Sequence, residues 1–471
     1  MESTLGAYRD RVINGPVGKT LLWLGLPLMA VQLVHVSYNI ADAYWLSRYS
    51  EYAYAAPRQI WPFFMFLNAI AMGISTANTA LISQAIGAKD YEYAKRVISY
   101  FITLNVLLNA AAATLFYLLR PWMFRYLINV PPEIYSYVMV YSAIVTFDLF
   151  IAAFTISYSS IFQSIGDTRT PSRIGVISAM MNIVLDPLMI FGVRIRDVEI
   201  IPSMGVAGAA LATVLSRLTG LVLLLRVIRN KYAVLTPRLT LSIDKDWLLR
   251  TIRIGAPVTL MMMSNSLAFM FQHRLINSFG AYAAAAAAIG FILMDLADAA
   301  LWGFTMSVAT MIGQAIGAGL ESRARKVALR AILYIGVATS MGSLVVYVLR
   351  MFFIQLFTNL EAVVVEADLF VSIFIFSLPT FAIFFIGMSI GRGSGHTLYP
   401  TILGIIRLWV LRLGVGYLLA FHMGMGTIGI WTAMSLSNVV SGLAIIPWAI
   451  RGRWTTPVIK KHYLHAVPVR G

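Results

Sequence analysis

Asn182 and Asp186 stand four residues apart in the apolar stretch Met180 to Phe191, MMNIVLDPLMIF. On a helix that spacing stacks them on one face. Pro187 follows at once and, lacking an N–H, leaves the carbonyl of Ile183 without its intrahelical donor. An acid, an amide and a freed carbonyl on one face suit a small cation. An ionisable group at bilayer depth is costly and by default marks a functional site; a structural polar bridge between helices is the competing reading. A second set, His35, Tyr38, Asn39 and Asp42, recurs at spacings of three, four and seven in the first apolar stretch, which places His35, Tyr38 or Asn39, and Asp42 along one face. If the two stretches pack together, their carboxylates repel, and a shared proton or a bound sodium ion relieves the repulsion. The alternative for Asp42 is a solvated position near a helix end. Thr213, after Gly205 and Gly208, offers a hydroxyl that serves either as a ligand or in helix packing.

The elements that must position these residues are membrane spans. The chain is 59% hydrophobic and 12% charged, against about 25% charged in a soluble domain. Twelve stretches reach the roughly 20 residues a span needs: near 18–46, 54–83, 95–119, 134–163, 170–192 and 205–228, then 252–278, 284–315, 326–350, 364–391, 398–421 and 427–450. Arg9, Arg11 and Lys19 lead straight into the first of them, which reads as a retained span and not as a cleavable signal. With no cysteine there is no disulfide, thiolate metal site or cysteine nucleophile. The net charge of +16 would point to nucleic acid in a soluble protein. Here the Lys and Arg residues concentrate at both ends and in the even-numbered loops, so both termini are expected in the cytoplasm of a multi-pass plasma-membrane protein, with no nucleic-acid partner.

The two halves repeat. Gly25-Leu26-Pro27 matches Gly255-Ala256-Pro257, and ISQAIGAKDYEYAKRV from Ile82 matches IGQAIGAGLESRARKV from Ile312, both at an offset of 230. Gly166 and Pro171 match Gly395 and Pro400 at 229, and Gly205 with Gly208 matches Gly426 with Gly429 at 221. Six spans per half with the charge bias in phase make the repeat parallel, about an axis along the membrane normal. The fold class is therefore all-α and polytopic: twelve transmembrane helices in two pseudo-symmetric six-helix bundles. The expected organisation is an N-terminal lobe over 1–228, a cytoplasmic connection over 229–250, a C-terminal lobe over 251–450 and a basic cytoplasmic tail over 451–471. The symmetry breaks at the acids, since Asp42 corresponds to Gln272 and Asp186 to Val415.

With the two six-span halves, YNIAD at Tyr38 to Asp42 and NIVLDP at Asn182 to Pro187, nearly the whole chain resembles the multidrug and toxic compound extrusion (MATE) transporters, in pattern their archaeal, DinF-like branch. The resemblance implies V-shaped lobes and export of organic cations or other amphipathic small molecules, driven by inward Na+ or H+ with no other cofactor. It also implies a cation site at Asp42, Asn182, Asp186 and Thr213, with Tyr38 as a neighbour. His35 departs from the family pattern; as a group that titrates near neutrality it leaves proton coupling open beside a packed neutral role. The serines of TISYSSIFQS before Gly166 depart from it as well, which puts family substrate contacts there in doubt. Pro27 is the place where the first span would bend on ion binding.

The C-terminal half has its own polar set: Gln272, His273 and Arg274, Asp295 and Asp298, and Arg407 and Arg412. It reads as a second ion or drug site, or as Asp–Arg pairing that holds the lobe together. Asp148 shows no partner in sequence. The alternative function is a flippase for a lipid-linked precursor, whose phosphate would need deep unpaired bases; Arg217, Arg407 and Arg412 are the candidates. The chain is not read as an enzyme, because no HExxH, GxSxG or histidine cluster supplies a nucleophile or metal. No GxxxxGK[ST] is present either, so the energy source in this chain is not ATP. The expectation is a monomeric secondary antiporter acting on small molecules within the lipid bilayer.

Overall fold

The computed structural model describes residues 2–50, 53, 55–127, 130–195 and 198–459; the side chains of Asn39 and Asp295, both named above, lie outside the described set. Among the described residues, twelve helices are long and apolar enough to cross a membrane. In the N-terminal bundle these are α2 (Val17–Tyr49), α3 (Ala55–Gly87), α4 (Tyr91–Trp122), α5 (Pro132–Ile165), α6 (Arg169–Phe191) and α7 (Val206–Lys231). They follow a short helix, α1 (Glu2–Asn14), and between α6 and α7 stand β1 (Val193–Ile195) and β2 (Val198–Ile201), paired antiparallel. The C-terminal bundle holds α8 (Lys245–Asn277), α9 (Ala281–Gly317) and α10 (Glu321–Gln355). Its fourth span joins α11 (Glu361–Phe374) to α12 (Leu378–Ser394) through a 3-10 turn. Its fifth runs from α13 (Leu398–Ile406) through π-helical turns Arg407–Gly414 and Leu418–His422 around α14 (Val415–Tyr417), and its sixth is α15 (Gly426–Arg451).

Burial follows what each helix carries. In α3 the small and polar run Ser75, Thr76, Asn78, Thr79, Ser83 and Gln84 is buried, as expected where membrane helices meet through small residues and side-chain hydrogen bonds. In α10, Leu333, Met341, Val345, Val348 and Phe352 are exposed, an apolar face suited to lipid. Between the bundles, α7 gives way to a 3-10 turn at Ala233–Leu235 and an extended stretch. That stretch is pinned to α4 by Arg238 N donating to Ser99 Oγ (3.1 Å) and Thr240 N to Thr103 Oγ1 (3.1 Å).

The bundles meet along a seam in which the internal repeat is visible atom by atom. Gln84 Nε2 donates to the carbonyls of Ser394 (3.1 Å) and Gly393 (3.5 Å) at the end of α12. Its counterpart Gln314, 230 residues later, donates from Nε2 to the carbonyls of Ser164 (2.8 Å) and Ile165 (3.0 Å) at the end of α5. Each glutamine thus caps free carbonyls of the opposite lobe. A Cβ on Gly87 would collide with the Gln314 carbonyl and one on Gly317 with that of Gln84, so only glycine permits this approach. The N-terminal helix, which the sequence reading did not set apart from the first span, lies across the same end. Its Leu5 belongs to the N-terminal core, its Val12 to the C-terminal one, and Arg9 Nε donates to the Gly87 carbonyl (2.8 Å). The tail crosses back: Trp454 packs in the C-terminal core and Ile459 in the N-terminal one, and Val458 N donates to Gln84 Oε1 (3.0 Å).

Candidate functional site

The close packing of α2, α6 and α7 brings the predicted polar residues of the N-terminal lobe together. Asn182 and Asp186 are buried one turn apart on α6, and Asn182 Nδ2 donates to Asp186 Oδ1 (3.3 Å) and to Thr213 Oγ1 of α7 (3.4 Å). Thr213 spends its own proton on the Ala209 carbonyl (3.1 Å) and so offers a lone pair inward. Across from them, Asp42 of α2 lies within hydrogen-bonding reach of Asp186. Three acceptors here, Asp42 Oδ1, Asn182 Oδ1 and Asp186 Oδ2, are buried with no donor. An unmet buried acceptor costs about 1–3 kcal/mol, and two carboxylates this close cannot both stay bare. A proton between the acids, or a small cation among the oxygens, answers both costs.

One helical turn before Asp42, Tyr38 meets His35 edge to face (ring centroids 5.7 Å). His35 is exposed on α2, its Nε2 beside Gly175 of α6. Pro27 lies inside α2, where a Cβ on Gly303 of α9 would stand 2.8 Å from the Gly25 carbonyl.

Two residues without a settled role in the sequence turn out to be partners. Asp148 of α5, buried, takes a 2.8 Å ion pair from Arg217 of α7, so Arg217 is not an unpaired base. Arg217 sits one turn after Thr213 and lies within reach of the Tyr38 hydroxyl. Sequence spacing shows that Arg217 shares a face with Thr213, but the pairing depends on how α5 packs on α7. Asp148 Oδ1 keeps no hydrogen-bond partner. Three carboxyls and one guanidinium therefore share this part of the lobe.

The polar residues of the C-terminal lobe are spread out. Gln272 is buried against α15, its Nε2 on Met434 Sδ (3.2 Å), while Arg274 is exposed near the end of α8. Asp298 of α9 lies within electrostatic reach of Arg407 and Arg412. Those two arginines are buried and share one acceptor, Asn438 Oδ1, at 3.0 Å each. A further arginine enters here. The sequence reading placed Arg392 in the loop after the tenth span, but α12 continues to Ser394 and buries it. The repeat carried the signal: Gly395 matches Gly166, and the helix ahead of Gly166 also runs to the preceding residue.

The family model MatE matches the chain twice, over residues 27–188 and 257–418, two units set apart by the same 230 residues as the repeat. The chain is 26% identical over 397 residues to the probable multidrug resistance protein YoeA of Bacillus subtilis, covering 83% of this chain and 84% of that protein. It is 25% identical over 445 residues to the probable multidrug resistance protein NorM of Thermotoga maritima, covering 93% of each. A crystal structure of a MATE protein in the bent conformation superposes with a TM-score of 0.85 at 22% identity, covering 94% of this chain and 96% of that one.

Proposed function

Because the chain belongs to the MATE family, multi-pass membrane transporters and not enzymes, we propose that it is a secondary active antiporter whose coupling ion is taken up by Asp42, Asn182, Asp186 and Thr213 in the N-terminal lobe. The reading rests on one observation: three buried acceptor oxygens without donors converge from α2 and α6. Sodium or a proton is the counter-transported ion, and organic cations or other amphipathic small molecules are the exported cargo, in line with the multidrug resistance proteins it resembles. Uptake of the ion draws Asp42 toward Asp186 and shifts α2 below Pro27, where the helix already lacks one backbone hydrogen bond. Tyr38, held by Arg217 and through it by Asp148, fixes the side chains on the far side of that movement. The concentration of Lys and Arg at the ends and even-numbered loops puts both termini in the cytoplasm, and the protein exports its cargo across the plasma membrane as a monomer.

Binding of the ion is measured on purified protein, with radioactive sodium for one candidate and an indicator dye in weak buffer for the other. Wild type is expected to bind sodium or to take up a proton, and Asp42→Asn and Asp186→Asn each to lose that signal. Signals equal in wild type and both variants would refute the site.

A further inference from the structure

The polarity of the N-terminal lobe is reversed in the C-terminal one. A cavity opens among α8, α9, α12 and α13, with Met261, Trp302, Phe384, Met388, Arg392 and Arg407 in its wall. Both arginines are buried, and the Nε of each has no acceptor. Arg392 offers Nη1 to a thioether, Met306 Sδ at 3.6 Å, and stands 5.1 Å from the Trp302 ring. Arg407 lies 5.2 Å from both the Phe381 and Phe384 rings. Behind it, Arg412 has a hydroxyl and an amide oxygen as its acceptors, Ser437 Oγ at 3.2 Å and the Asn438 Oδ1 it shares with Arg407. The π-helical stretch from Arg407 to Gly414 closes i to i+5, which brings residues five apart onto one side and sets two guanidiniums around one oxygen. Among the described residues no ion pair engages Arg392, Arg407 or Arg412. Asp298 supplies one nearby carboxylate against the three fixed positive charges. A guanidinium keeps its charge at neutral pH and presents a planar fork matched to phosphate, sulfonate or carboxylate.

We propose that this cavity is an anion site, in which Arg392 and Arg407 hold the acidic group of an amphipathic molecule while its flat apolar body lies against Trp302, Phe384 and Met388. Neutral acceptors and ring faces leave these arginines short of a full counter-charge, and the thioethers and aromatic rings beside them accommodate varied apolar shapes. That the bound molecule is cargo rests on the export reading above; that it binds does not. The acidic group belongs either to a free aromatic compound or to a lipid headgroup.

The test is equilibrium binding of pyrene-1-sulfonate, read by fluorescence anisotropy, to the full chain in phosphatidylcholine nanodiscs. The trimethylammonium pyrene of opposite charge serves as control. Wild type is expected to bind the sulfonate at least about tenfold tighter than the ammonium compound, since charge-assisted hydrogen bonds form with the sulfonate alone. Arg392→Met, which removes a side chain whose one recorded hydrogen-bond acceptor is a thioether, and Arg407→Met should each weaken sulfonate binding about tenfold. Arg407→Lys, which keeps a donor to Asn438, should retain part of it. Arg194→Met, which removes an exposed arginine on β1 of the other lobe, should bind as wild type does. Competition by phosphatidylglycerol added to the discs assigns the acidic group to a lipid headgroup, and indifference to it assigns a free anion. Equal binding of the two pyrenes, or sulfonate binding unchanged in both Arg→Met variants, would overturn the proposal and leave the arginines as aromatic-packed structural residues.

Discussion

Replacing Asp148 by Asn removes the carboxylate that neutralises Arg217 at a separation of 2.8 Å. At an effective dielectric of about 20, that separation corresponds to a gross attraction of roughly 6 kcal/mol. Desolvation of both groups offsets part of it, and breaking a buried pair from one side costs about 3–5 kcal/mol. The Arg217 side chain retains 27% of its exposure against 3% for Asp148, so water screens the stranded charge and the lower figure, about 3 kcal/mol, applies. Arg217→Met leaves the more deeply buried charge alone and should cost at least as much. The double variant leaves neither charge, so its loss should fall short of the sum by about 1–3 kcal/mol. Equilibrium unfolding in mixed micelles gives all three values. A second readout separates this pair from plain packing: freed from Asp148, Arg217 has Tyr38 and the neighbouring acids to turn to, so Asp148→Asn should weaken ion binding at Asp42 and Asp186 while the double variant restores part of it. Additive stability losses, or ion binding indifferent to Asp148→Asn, would refute the coupling.

Gln84→Ala and Gln314→Ala each delete two hydrogen bonds to carbonyls across the seam, and Gln84→Ala also deletes the one from Val458 N. The parent chain has no cysteine, so maleimide labelling of a single Ser164→Cys reports opening without background. Each variant should label about tenfold faster, two bonds contributing roughly 1–3 kcal/mol, and Gln84→Ala at least as fast as Gln314→Ala because it also frees Val458 N; unchanged labelling would contradict the latch. Gly87→Leu should hold the seam open more strongly, because its side chain meets the Gln314 backbone. Asp167, in the turn between α5 and α6, answers to acid. Burial pushes its carboxyl up, but hydrogen bonds from Lys231 Nζ (2.7 Å), Tyr232 Oη (2.7 Å) and Thr170 outweigh that and hold it below the ordinary carboxylate value. A group depressed in the folded state stabilises above its unfolded value of about 3.9 and loses that contribution as pH falls through the folded one. Thermal stability should therefore drop below about pH 4 in wild type and less steeply in Asp167→Asn; parallel profiles would exclude Asp167 as the cause.

The spans and the two-lobe repeat were legible because both are one-dimensional: apolar runs of spanning length, and motifs returning after 230 residues. The facing of Asn182 and Asp186 was legible too, since helical spacing fixes it within one element. What depends on which helix lies against which was not. Asp148 and Arg217 are 69 positions apart and pair because α5 packs on α7. Arg407 and Arg412 share Asn438 because a π-helical stretch departs from the 3.6-residue period on which the reading rested. The separate α1 leaves no mark in the sequence, because its polar residues run into the first span with no break except Gly15-Pro16. Arg392 falls one residue beyond the apolar stretch 364–391, whereas the helix runs on to Ser394 and buries it. The seam glutamines were visible as part of a repeated motif, but their reciprocal capping appears once the lobes are set side by side.

The central claim is that Asp42 and Asp186 couple an ion to export. Its most direct test is gradient-driven efflux from proteoliposomes, with ethidium and pyrene-1-sulfonate as alternative cargoes and sodium and proton gradients imposed separately. Wild type should export at least one cargo under one of the two gradients, and both Asp42→Asn and Asp186→Asn should abolish that acceleration. Export that ignores both gradients, or that survives in both variants, would contradict the account and leave the two acids a structural bridge between α2 and α6.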